Sequence, residues 1–212
     1  MPEEQDQPEG LSGLTLSQRI VKRSFDLGMS LFGLLLCGWL VLLCFALASI
    51  DTRQNGFFSQ ARVGRNGKTF RILKIRSMRP VKDVTTTVTQ KHDPRITWLG
   101  SQFRRFKLDE LPQLWNVLLG DMSFVGPRPD VPGFADKLEG EDRIVLSIRP
   151  GITGPASLRF KDEESLLAEQ EDPEAYNRDV IFPEKVRINK EYIRNYSFRK
   201  DLGYIFTTIF GR

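Results

Sequence analysis

The feature that most constrains this chain is a run of 24 residues, 27–50, with no charged side chain (LGMSLFGLLLCGWLVLLCFALASI). As a helix it would be about 36 Å long, enough to reach across the hydrocarbon core of a bilayer. A secretory signal fits poorly, because the run follows an acidic start (Glu3, Glu4, Asp6, Glu9) and ends without a small-residue cleavage site. A buried core helix also fits poorly, since a chain of 212 residues has little interior in which to wrap a helix that is apolar on every side. Arg19, Lys22 and Arg23 precede the run and Arg53, Arg62, Arg65, Lys68 and Arg71 follow it, so the positive-inside bias marks both ends as cytoplasmic. A single span cannot satisfy both flanks. A helix that breaks near its middle and returns can, and the middle holds Cys37 and Gly38. The residues alone leave the re-entrant helix and the single span both open.

Charge narrows the chemistry. The net charge of +4 is distributed as −2 over residues 1–50, +8 over 51–130 and −2 over 131–212. A basic middle third calls for an anionic partner: phosphate, nucleic acid or acidic headgroups. No nucleic-acid module is recognisable, so nucleic acid is set aside. The two cysteines, Cys37 and Cys44, both fall inside the apolar run, which excludes a disulfide framework. His92 is the single histidine, which excludes histidine triads and multi-histidine metal sites; it reads as a loop residue.

The remainder reads as one α+β unit without internal repeats. Two β-type stretches flank a turn at Gly64-Arg65-Asn66-Gly67, and residues 81–91 form a polar, threonine-rich loop. One helix is expected from about Ile96 to Phe106. A second is marked by Leu111, Leu114, Trp115, Leu118 and Leu119 at helical spacing and ended by Gly120. The charged stretch from Lys161 to Arg178 reads as a solvated, partly helical insert, and the tail DLGYIFTTIFGR as a core or interfacial helix.

Asp109 and Glu110 open the second helix, next to Arg104, Arg105 and Lys107. One reading is an ordinary helix start, with Asp109 as N-cap and Glu110 complementing the dipole. The other makes a carboxylate here a nucleophile or magnesium ligand among phosphate-binding cations. Arg128, between Pro127 and Pro129, is either a surface turn residue or a guanidinium on a stiffened loop suited to phosphate capture.

Three stretches in order resemble the bacterial sugar transferase family, the monotopic phosphoglycosyl transferases that begin glycan assembly on polyprenyl phosphate. They are Leu108 to Leu114 with Asn116, Gly120 to Pro129, and Arg149 to Gly154; Lys22, Arg23, Asp26 and the segment Phe70–Met78 extend the similarity to about residue 22. The resemblance implies that Asp109 attacks a UDP-sugar, releasing UMP and forming a phosphosugar on the enzyme. Glu110 would help to deprotonate or position the polyprenyl phosphate that attacks next. Arg104, Arg128, Lys74 and Arg76 match basic motif positions and would hold phosphates, with Mg2+ at or near Asp109. It further implies a helix that enters one leaflet and returns, at the cytoplasmic face of the bacterial inner membrane. The expected organisation is a flexible tail over 1–21, a re-entrant helix over 22–50, and a compact, helix-rich α+β catalytic domain with a short β-hairpin over 51–212. The partners implied are the UDP-sugar, polyprenyl phosphate and membrane lipids, with homo-oligomerisation left open. Relatives usually break the helix at Ser-Pro, where this chain has Cys37-Gly38, and they often carry a small polar residue where it has Lys107. A non-catalytic scaffold of glycan biosynthesis is the alternative from another class, and a transferase releasing UDP is a third.

Overall fold

A computed structural model describes residues 13–81 and 93–211. His92, most of the 81–91 loop and the start of the expected tail lie outside the described residues. Helix α1 spans Leu16–Thr52. The hairpin strands β1 (Phe57–Val63) and β2 (Thr69–Ile75) follow, then α2 (Trp98–Arg105) and α3 (Gln113–Leu119). Short strands β3 (Ser123–Val125) and β4 (Gly151–Thr153) precede α4 (Pro155–Arg159), α5 (Glu163–Ala168) and α6 (Pro173–Tyr176). Helices α7 (Phe182–Arg194) and α8 (Phe198–Phe210) complete an α+β fold.

Helix α1 begins with a capping box: Gln18 N–H donates to Thr15 Oγ1 at 3.3 Å and Thr15 N–H to Gln18 Oε1 at 2.9 Å. It then runs 37 residues without interruption and ends at Arg53, whose φ is 55°. Two expectations are corrected here. The helix starts at Leu16, so residues 16–21 are helical rather than tail, and Leu14 is already buried in the core with Val125, Ile144 and Tyr192. The break expected at Cys37–Gly38 is absent. Glycine weakens a helix by about 1 kcal/mol but keeps its N–H, so the ladder survives where proline would remove a donor.

Packing explains why the helix stays unbroken. Lys22, Asp26 and Ser30, then Val41, Cys44, Ala48 and Thr52, recur every three or four residues and bury one stripe against the body along the helix. Midway, Leu114 of α3 sits over Gly33, where a Cβ would lie only 3.1 Å from its Cδ1. Polar pins fix the N-terminal half. Lys22 Nζ reaches Asp201 Oδ2 at 2.5 Å, and the Tyr192 hydroxyl donates to the other oxygen of Asp201 at 2.7 Å. Asp26 Oδ1 accepts from Ser123 Oγ and Phe124 N–H, both at 3.1 Å. Arg23 donates to Val117 O at 2.6 Å and Leu118 O at 2.9 Å, satisfying carbonyls at the end of α3. The opposite face of α1, with Leu31, Phe32, Leu35, Leu36, Trp39, Leu42 and Leu43, is exposed.

The hairpin is antiparallel, with Phe57 opposite Ile75 and Val63 opposite Thr69, and its turn places Asn66 at φ 59° and Gly67 at φ 75°. Asn116 locks α3 onto β2: its Oδ1 accepts from Leu73 N–H at 2.9 Å and its Nδ2 donates to Arg71 O at 2.8 Å. Strands β3 and β4 pair in parallel, Ser123 with Gly151 and Val125 with Thr153, which brings two of the motif loops side by side. A Cβ at Gly151 would lie 2.1 Å from Gly126 N, so the approach demands glycine.

Candidate active site

The chain leaves α2 through Lys107, whose φ of 57° turns it sharply into a 3-10 turn, Leu108–Glu110. This turn carries the two acids inward, and both are buried, Asp109 at 7% and Glu110 at 9% exposure. Asp109 is not an N-cap. The turn has no side-chain capping bond, and α3 starts only at Gln113, behind Pro112.

The two carboxylates meet different surroundings. Glu110 Oε1 accepts from Arg128 Nη2 at 2.6 Å and from Lys74 Nζ at 3.4 Å. Asp109 Oδ1 is buried and has no hydrogen-bond partner. Burial by itself would raise the pKa of Glu110, but Arg128, then Lys74 and Lys107, outweigh it and hold the carboxyl well below the usual range. Asp109 moves the other way: burial, then the charge of Glu110, raises it above the ordinary carboxylate value, against the pull of Lys74, Arg104 and Lys107. Burial depresses Lys74, with Glu110 opposing, while Glu110 raises Arg128 further. The site therefore holds one committed anion inside a cation clamp and one uncommitted carboxylate beside it.

Each cation comes from a separate element. Lys74 projects from β2 and Arg104 from the last turn of α2. Arg128 follows β3 on the loop held by Arg62, whose Nη1 donates to Pro129 O at 3.2 Å. Arg104 also forms an ion pair with Glu164. Arg76 does not join them. Strand β2 ends at Ile75, and the Arg76 guanidinium turns to the hairpin base, donating to Asn55 O at 2.7 Å and Phe57 O at 3.3 Å. Lys74, Arg104, Asp109, Glu110 and Arg128 line one cleft of roughly 1620 Å³, above the 300–1,000 Å³ usual for small-ligand pockets and roomy enough for a nucleotide-sugar.

Three further lining residues escaped the sequence reading. Asp130, directly after the Pro-Arg-Pro loop, is pushed up to about 6 by burial, against the pull of Lys185 and Arg62. Its place after that motif was the available signal. Lys185 on α7 and Glu163 on α5 carry no motif, and only the fold brings them here.

Among the described residues no group of three His, Cys, Asp or Glu could hold a metal ion. Magnesium, however, commonly binds through one or two carboxylates together with substrate phosphates and water. The orphaned Asp109 Oδ1 fits that role, whereas Glu110 is already engaged.

Comparison with known proteins identifies the family of the chain. The profile of the bacterial sugar transferase family matches residues 17–211. The chain is 32% identical over 206 residues to the exopolysaccharide production protein ExoY of Sinorhizobium fredii, covering 90% of this chain and 84% of that protein. It is 35% identical over 207 residues to the UDP-glucose:undecaprenyl-phosphate glucose-1-phosphate transferase of Escherichia coli, covering 94% of this chain and 41% of that longer protein. With the galactosyl transferase CpsE of Streptococcus agalactiae it shares 35% identity over 223 residues, 95% of this chain and 45% of the relative. The profile match over nearly the whole length shows that the chain belongs to the bacterial sugar transferase family.

Proposed function

We propose that this chain transfers a sugar-1-phosphate from a UDP-sugar to polyprenyl phosphate, releasing UMP, by two displacements through a phosphosugar bound to Asp109. The observation that carries the reading is the contrast between the acids: Glu110 is tied up by Arg128 and Lys74, while Asp109 keeps a buried oxygen without a partner. A solvated carboxylate is a weak nucleophile toward an anionic diphosphate. Here Asp109 sheds its water on folding, and Lys74, Arg104 and Arg128 line its cleft to offset the repulsion.

In the first step the ionised Asp109 attacks the sugar-bearing phosphorus of the donor. The bridging P–O bond breaks and its electron pair leaves with UMP. In the second step an oxygen of the dianionic polyprenyl phosphate attacks the same phosphorus. The bond to Asp109 breaks and the carboxylate is regenerated. Glu110 anchors Arg128 and Lys74 so that both face the reacting phosphates, which removes part of the entropic barrier. Asp109 is the residue that would hold magnesium, which when bound would supply neutralisation of phosphate charge.

The acceptor's phosphate sits at headgroup level. The exposed apolar face of α1 suits a helix that lies along the membrane while its buried stripe holds the domain, and the basic residues on both flanks of the apolar run favour the cytoplasmic face. Exposed Trp98, Phe106, Trp115, Phe206 and Phe210 would extend that contact. The test is incubation of purified chain in detergent with magnesium and a panel of UDP-sugars, following UMP release and a mass increase on the peptide bearing Asp109. Product formation without either signal would refute the reading.

A further inference from the structure

Two cations of the cleft are held by acids from a segment the transfer steps do not use. Lys185 Nζ lies 2.8 Å from both oxygens of Glu163, and Arg104 pairs with Glu164. Glu163 and Glu164 are consecutive, with Cα atoms about 3.8 Å apart, so one stretch of chain pairs with a cation from α7 and a cation from α2, and all four residues line the same cleft. Neither cation belongs to the Glu110 clamp. Arg104 nevertheless acts on Asp109, and Glu163 acts on Arg128 and Asp130.

The segment bearing these acids is lightly attached. Within α5 only Leu167 is buried, and beyond α6 the chain passes through a π-helical turn, Asn177–Ile181, of a kind often found at functional sites. Glu163 and Glu164 keep 26% and 45% of their side chains exposed, so their ion pairs are weak enough for a multiply charged anion to replace.

We propose that Arg104 and Lys185 form a second phosphate subsite, in which Glu164 and Glu163 stand in for the two linked phosphoryl groups of a diphosphate until one binds. The ligand class rests on the diphosphate-donor reading above. Lys185 thereby becomes a phosphate-binding residue, and α5 a strap that the incoming anion displaces. The opposite role, Glu164 orienting Arg104 for catalysis, predicts the opposite sign on mutation.

The test is calorimetric titration of the full chain in detergent with inorganic pyrophosphate and, separately, with UDP. Wild type is compared with the E163Q/E164Q double variant and with that variant carrying K185Q in addition, all checked for an unchanged thermal unfolding profile. Removing two partly exposed competing pairs is expected to tighten pyrophosphate roughly five- to tenfold, and adding K185Q to reverse most of that gain. Pyrophosphate should also increase proteolytic cleavage within residues 160–178 in wild type, and the double variant should be cleaved readily without it. Unchanged or weaker pyrophosphate affinity in E163Q/E164Q, or no effect of K185Q, overturns the subsite, whereas a phosphosugar adduct on Asp109 would leave the transfer reading standing. Tightened pyrophosphate binding with no UDP binding in any variant supports the subsite and removes the nucleotide donor.

Discussion

Replacing Asp109 by Asn should abolish transfer and stabilise the fold at the same time. The side chain is 7% exposed, and its Oδ1 accepts no hydrogen bond. A buried polar atom without a partner costs about 1–3 kcal/mol, and the carboxylate here is further penalised by the neighbouring charge of Glu110. Asparagine keeps the shape and removes the charge while retaining polar atoms to satisfy, so only part of that cost returns, about 1 kcal/mol, or roughly 2–4 °C in melting temperature for a chain of this size. The pH dependence carries a definite sign. Because burial raises the folded-state pKa of Asp109 above its unfolded value, the folded chain binds this proton more tightly. The resulting stability is complete below the unfolded value and is lost as pH rises through the folded one. Asp109→Asn should therefore match wild type near pH 4 and exceed it at pH 7–8. The assay is thermal unfolding in detergent across that range, paired with detection of the covalent adduct. A variant less stable than wild type at pH 7, or a stability difference that does not change with pH, would sink the argument that the nucleophile is held in an unfavourable charged state.

Arg128→Met should lower stability by about 1–2 kcal/mol at pH 7. Breaking a buried pair costs about 3–5 kcal/mol, discounted here because 42% of the Arg128 side chain is exposed. Since the clamp depresses the pKa of Glu110, that deficit should shrink as pH falls below about 4, which chemical denaturation at several pH values would reveal. Leu35→Glu combined with Leu36→Glu, both on the outward face of α1, should leave the fold intact and release the chain from anionic vesicles, as read by co-sedimentation. Gly151→Ala should destabilise by about 2 kcal/mol or more, because its Cβ would meet Gly126 N at 2.1 Å, and a circular dichroism melt would show it. Chelation of divalent cations should stop UMP release without shifting the melting transition, and added magnesium should restore it.

Much of this protein follows from local sequence. The uncharged run dictates an apolar helix, Gly120 with its φ of 94° ends α3, and Asn66-Gly67 makes the hairpin turn, because each depends on backbone preferences within a few residues. The acidic pair, Arg128 and Lys74 were also legible, as motif positions. Other features depend on distance in space. Whether α1 breaks was decided by a stripe of buried residues meeting α3, β2 and α8, and in the absence of proline that packing keeps the helix continuous. That Arg76 faces the hairpin base while Lys74, two residues earlier, faces Glu110 depends on where β2 ends. The division of labour between Asp109 and Glu110 could not be read from adjacency at all. It arises because Arg128, 18 residues further along, and Lys74, 36 residues earlier, converge on one carboxylate and leave the other its own unpaired oxygen, and only the folded chain fixes such distances.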